Sequence, residues 1–139
     1  MFKHILVPID LSGRNARTLR IALGLARSSG ARVTVLHVIQ RVAHVPSREL
    51  RGFYGQLVSN SRRKLDLTAR QFSRARVAAR TAMVIGEPAR EIVKAAEKRK
   101  VDLIVMGSHR IVVGRPGLGL GTTSYKVGIS CPCPILLVK

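Results

Sequence analysis

From its N-terminus the chain alternates short apolar runs with longer segments whose apolar residues recur every three or four positions. Residues 4–9, HILVPI, form an apolar run ending at Asp10, the pattern of a strand. From Arg14 to Arg27, Ala16, Leu19, Ala22, Leu23 and Ala26 fall at helical spacing. Ser12 is placed to cap that helix, and SSG at 28–30 is placed to stop it. Residues 32–39, RVTVLHVI, are apolar on both alternate sets, as in a strand covered on both faces, so this strand is expected inside its sheet.

Beyond a loop around Pro46, Leu50, Phe53, Tyr54, Leu57, Leu65, Ala69 and Phe72 predict one long helix over 47–75 with arginines on its opposite face. RTAMVIG at 80–86 predicts a third strand, and Pro88 suits the first turn of a helix running to about Arg99, with Ile92, Val93 and Ala96 inward. VDLIVMG at 101–107 is a fourth strand, residues 122–130 a short helix, and PILLV at 134–138 a last strand. Strict alternation of strand and helix predicts an α/β fold with a parallel sheet. The 139 residues suit one domain over 1–139.

Composition changes this picture in two respects. No apolar run approaches the roughly 18 residues of a membrane span, and the first residues lack the h-region of a secretion signal, so a soluble, cytoplasmic protein is expected. Cys131 and Cys133 are too close for an ordinary bridge and no His or Asp cluster completes a zinc set, so they are expected as reduced structural thiols. The charge is extreme: 25 Lys plus Arg against 7 Asp plus Glu give +18. It concentrates in residues 41–80, where Glu49 and Asp66 are the only acids. That field favours polyanions, while two Tyr, three Phe and no Trp disfavour a dedicated single-strand binder.

Ligands of open parallel sheets sit beyond the carboxyl ends of the strands. Two places qualify: VPIDLS after the first strand, and MGSHR after the fourth, which runs into a loop holding Gly107, Gly114, Gly117, Gly119 and Gly121. A phosphate on Gly121, Thr122 and Thr123 would meet backbone N–H groups at a helix N-terminus together with hydroxyl donors. The loop has no Walker lysine, its G-x-G pairs do not form a dinucleotide fingerprint, and H-E-x-x-H and G-x-S-x-G are absent. Asp10 is expected as a ligand residue, with a helix-terminal acid as the alternative. His37, inside an apolar strand, is expected as a hydrogen-bonded core histidine.

VPIDLS, VTVLHV, GEPAREIVKAAEKRKVDLIVMGSH, GTTSYKV and CPCPILLVK, in that order and spacing, resemble the universal stress protein family along nearly the whole chain. The resemblance implies an open, twisted, five-stranded parallel sheet with helices on both faces, of the adenine nucleotide alpha hydrolase-like type, and a homodimer through the C-terminal strand. One branch of the family binds ATP through G-x-x-G, nine residues, G-[ST]. Gly107 and the Gly121-Thr122 pair match that pattern, whereas Arg110 replaces the second glycine and ten residues follow it. A guanidinium at Arg110 can form bidentate phosphate bonds that glycine cannot. By the same resemblance Pro8, Ile9, Asp10 and Val38 are nucleotide positions, with Asp10 and Val38 facing the nucleoside. Met106 beside Gly107, and Thr122, Thr123 and Ser124 behind the loop, are further nucleotide positions, and the loop with Gly107, Arg110 and Gly121 faces the phosphates.

The expected function is a stress-response module that binds ATP, with or without Mg²⁺, and does not turn it over efficiently, since Asp10 is the only acid available to position a water. The alternative is a non-nucleotide interaction protein of the same fold, docking a polyanion or a protein partner through its arginine-rich helix.

Overall fold

A computed structural model describes residues 1–41, 48–108 and 122–139. Along them run β1 (His4–Pro8), α1 (Ala16–Ser29), β2 (Arg32–Gln40), α2 (Arg51–Arg74), β3 (Ala79–Gly86), α3 (Pro88–Lys98), β4 (Leu103–Gly107), α4 (Thr123–Ser130) and β5 (Ile135–Val138). The strands form one five-stranded sheet in the order β3-β2-β1-β4-β5. Every neighbouring pair is parallel. The α/β architecture expected from the alternation is therefore the one observed, with β2 inside and β5 at an edge.

The pleat divides the core between two layers. Ile5, Val7, Val33, Val35, Leu103 and Val105 face α1 and α2, where Ala22, Ala26, Leu65 and Phe72 meet them. Leu6, Leu36, Ile104 and Met106 face the other layer and pack on Ala89, Ile92, Ala96 and Val127 of α3 and α4. All five residues of β1 are buried. Each fully buried Leu, Ile or Val contributes about 1.5–3 kcal/mol relative to exposure, so the central strands anchor the fold.

Three helices end alike, and each ending feeds a strand. The N–H groups of Ala31, Val77 and Val101 reach back to the carbonyls of Ala26, Phe72 and Ala96 at 3.0, 2.9 and 2.9 Å. These are the six-to-one bonds of Schellman caps, each followed by a buried apolar residue. Gly30 takes the left-handed position after α1 with φ 68°, but Arg76 and Lys100 occupy it with φ 62° and 54°. A side chain there costs roughly 1–2 kcal/mol relative to glycine.

Two expected boundaries shift for identifiable reasons. Ser12 does not cap α1, which starts at Ala16 behind Asn15. The hydroxyl and amide of Ser12 are instead donated to Asp10 Oδ1. The fourth strand begins at Leu103 rather than residue 101, because Val101 closes the α3 cap and Asp102 is engaged by the first strand. The Asp102 carboxylate accepts the backbone N–H groups of Lys3 at 2.8 Å and His4 at 3.0 Å.

Candidate functional site

The strand order reverses between β1 and β4, because α1 carries the chain from β1 to β2 on one side while β4 lies on the other. A crevice of about 760 Å³ opens there at the carboxyl ends of the strands. β1 leads into it with Pro8, Ile9 and Asp10, β2 supplies Leu36, His37, Val38 and Gln40, and β4 supplies Met106, Gly107 and Ser108. Thr122, Thr123 and Ser124 line it from the start of α4. Of the residues expected at the site, Arg110 and Gly121 lie outside the described residues, and each of the others lines this one crevice.

Its two flanks differ chemically. On the β2 flank half-buried Val38 presents apolar surface, backed by the buried Leu36 and by Ile92 from α3. Across β1, hydroxyls gather where β4, β5 and α4 meet. Ser124 Oγ lies 3.1 Å from Ser108 Oγ and 3.4 Å from Thr122 Oγ1. Thr122 also caps α4, accepting the N–H of Tyr125 at 3.3 Å. The Lys139 ammonium donates to Ser108 Oγ at 3.4 Å, and Arg17 donates to the Lys139 carbonyl at 3.4 Å. A helix N-terminus, three hydroxyls and two cations therefore converge on one corner, an arrangement suited to an anionic oxygen.

Asp10 braces the turn between β1 and α1. Its Oδ1 accepts from the Ser12 amide at 3.1 Å, from the Ser12 hydroxyl and from Asn15 Nδ2 at 3.1 Å, and Asn15 Nδ2 also donates to the Asp10 carbonyl at 2.6 Å. The Ser12 hydroxyl bond, ahead of a smaller opposing effect of burial, holds the carboxyl below its ordinary value, so it is ionised near neutrality. Among the described residues all the side-chain bonds fall on Oδ1, which leaves Oδ2 as an acceptor for a ligand hydroxyl. Asp10 is not a helix-terminal acid, since the first turn of α1 holds none.

His37 is hydrogen-bonded as expected, through Nδ1 to the Ile9 carbonyl at 3.0 Å. It is only half-buried, however, and it lines the crevice. A carbonyl can only accept, so Nδ1 carries the proton and Nε2 is left as an acceptor in the neutral ring. Ser108 and Lys139 escape the sequence pattern because the parallel register that sets Gly107 beside Val138 brings them together. The carboxyl-end rule applied to β5 as well as β4 finds both. Cys131 and Cys133 are free thiols, with Cys131 Sγ donating to the Cys133 carbonyl at 3.1 Å. A second groove of about 480 Å³ separates α1 from α2 and shares Ile9, Asp10 and Asn15 with the crevice.

The same sequence order and fold occur in known proteins. The model of the universal stress protein family matches residues 1–139. The universal stress protein YxiE of Bacillus subtilis is 31% identical, with 100% of each chain covered. A universal stress protein of Thermus aquaticus is 35% identical, again with 100% of each chain covered. Among solved structures, the protein MJ0577 superposes with a TM-score of 0.81 at 27% identity, covering 100% of this chain and 96% of that one. A universal stress protein from Archaeoglobus fulgidus in complex with dAMP shares the fold at a TM-score of 0.72 and 20% identity, covering 99% of this chain and 98% of that one. Another, in complex with cAMP, does so at 0.75 and 20%, covering 99% and 97%. Matched by the family model from its first residue to its last, the chain belongs to the universal stress protein family.

Proposed function

We propose that the chain binds an adenine nucleotide, ATP in the first instance, in the crevice between β1 and β4, as a stress-response module without efficient turnover. The observation that carries this reading is the convergence of an apolar flank at Leu36 and Val38 with a hydroxyl and cation corner at Ser108, Thr122, Ser124 and Lys139. The first suits a purine face and the second suits phosphates. A ribose between them has Asp10 Oδ2 as an acceptor for a hydroxyl, and His37 Nε2 can accept from an exocyclic amine. The crevice volume falls within the roughly 300–1,000 Å³ of small-molecule sites. Relatives of the same fold have been solved with dAMP and with cAMP.

Mg²⁺, if it takes part, arrives on the phosphates, since among the described residues no group of three His, Cys, Asp or Glu side chains is placed to hold a metal. Turnover would need an acid to position water, and the acid lining the crevice among the described residues is Asp10, whose Oδ1 is committed to the turn. At a hundredfold excess over Kd, a bound nucleotide stabilises the fold by about 2.7 kcal/mol. Melting with ATP and Mg²⁺ should therefore show a clear rise. Gly107→Val should remove that rise and spare the unliganded fold, because among the described residues a Cβ at Gly107 meets only Thr18 Oγ1 at an ordinary 3.5 Å. No rise in the wild type at millimolar nucleotide and low salt overturns the reading.

A further inference from the structure

The +18 charge is divided unequally between the two helical layers. α1 carries Arg17, Arg20 and Arg27 with no acid, and α2 carries Arg51, Arg62, Arg63, Lys64, Arg70 and Arg74 against Asp66 alone. On the other layer, α3 and α4 set Arg90, Lys94, Lys98 and Lys126 against Glu91 and Glu97. α1 and α2 pack on the same side of the sheet, so their cations lie in one layer.

Its geometry is more regular than a random excess of charge. Ser61, Leu65 and Phe72 turn one side of α2 into the core. Gln56, Ser59, Arg63, Arg70 and Arg74 recur at the spacing of a single helical face on the far side, and all are exposed. Asp66 is the one acid on either helix, so the nine cations of α1 and α2 are largely unneutralised within their own layer. Every cation of the two helices except Lys64 is an arginine, the side chain that binds phosphate oxygens bidentately. Gln56 and Ser59 on the same face are uncharged donors that phosphate backbones also take. At about 1.5 Å per residue, α2 extends roughly 36 Å, close to one turn of a duplex at about 34 Å.

We propose that the α1/α2 layer is a docking surface for the sugar-phosphate backbone of a nucleic-acid duplex, bound without base specificity. A membrane is the weaker partner for it. The exposed large apolar side chains of these two helices are Phe53 and Leu67, fourteen positions apart, and they form no continuous apolar stripe that could enter a bilayer. α2 contributes no residue to the nucleotide crevice, so the α2 arginines test this surface independently of the ATP reading, whereas Arg17 of α1 lines that crevice.

The test is fluorescence anisotropy of a labelled 20-bp DNA duplex, titrated with the full chain across a salt series. About six neutralised phosphates give a slope of log K against log salt near −5, or roughly a thousandfold loss between 50 and 200 mM salt. R63E/R70E/R74E should flatten that slope by roughly three units. R90E/K94E/K98E changes the net charge equally on the other layer and should leave the slope unchanged. Arg, Gln and Glu have similar helix propensities. R63Q/R70Q/R74Q therefore provides a gentler second variant, which loses the same three phosphate contacts and should also flatten the slope by roughly three units, with a smaller loss of affinity than the charge reversal. Equal losses from the two charge reversals would overturn a located surface in favour of bulk charge. Absence of duplex binding at 50 mM salt, or binding only to vesicles of phosphatidylcholine with 30% phosphatidylserine, would also overturn it.

Discussion

Ser124→Ala separates phosphate recognition from nucleoside recognition with a single atom. Ser124 is 8% exposed, and its hydroxyl stands at the first turn of α4 between Ser108 and Thr122. If that corner holds phosphate, the lost bond is one to a charged group, worth about 1.5–3 kcal/mol. This corresponds to roughly a 10- to 150-fold rise in the Kd for ATP. Adenosine has no group for the corner, so its Kd should change less than about twofold. The variant also loses a neutral hydroxyl bond worth about 1 kcal/mol to the unliganded fold, which is why binding must be measured directly by titration calorimetry rather than inferred from melting alone. Titrating ATP and adenosine into both proteins gives four constants. An ATP constant that does not move, or equal weakening of ATP and adenosine, refutes the assignment of phosphates to the α4 corner.

Two further outcomes test the two ends of the sheet. His4 is buried at the amino end, with Nδ1 donating to the Arg99 carbonyl at 3.1 Å and Nε2 lying 2.8 Å from Thr34 Oγ1. Burial, opposed by that Arg99 bond, lowers its pKa below the ordinary 6.5, so the unfolded chain takes up a proton more readily than the folded one. Stability should be fully present above that value and fall as pH drops through it, and His4→Gln should flatten this part of the urea-midpoint profile; an identical profile in the variant would falsify the linkage. At the edge strand, Leu136 is 38% exposed, so pairing of two β5 edges would cover unpaired backbone and this apolar side chain together. Light scattering should find a dimer at micromolar concentration that Leu136→Lys shifts toward monomer, and a monomeric wild type rejects that interface.

The strands were legible because burial on both faces leaves a run such as RVTVLHVI with no polar alternation. Helix starts were less so, since they depend on where a side-chain oxygen is spent: Ser12 gives its hydroxyl to Asp10 instead of to a helix end. The crevice could be located because carboxyl ends and the β1/β4 reversal follow from topology. Which atoms complete it could not, because Lys139 reaches Ser108 only through the register of β4 on β5. The charge shows the same limit from the opposite direction. Its excess between residues 41 and 80 is plain in the sequence, but α1 lies outside that window, and only the packing of both helices on Ile5, Val7, Val33 and Val35 puts their arginines in one layer. A local pattern therefore identifies an element, whereas a site depends on which elements the sheet sets side by side. The β1–α1 turn illustrates this: Ile9, Asp10 and Asn15 form a wall common to the nucleotide crevice and the groove under the basic layer, although nothing in VPIDLSGRN indicates two cavities.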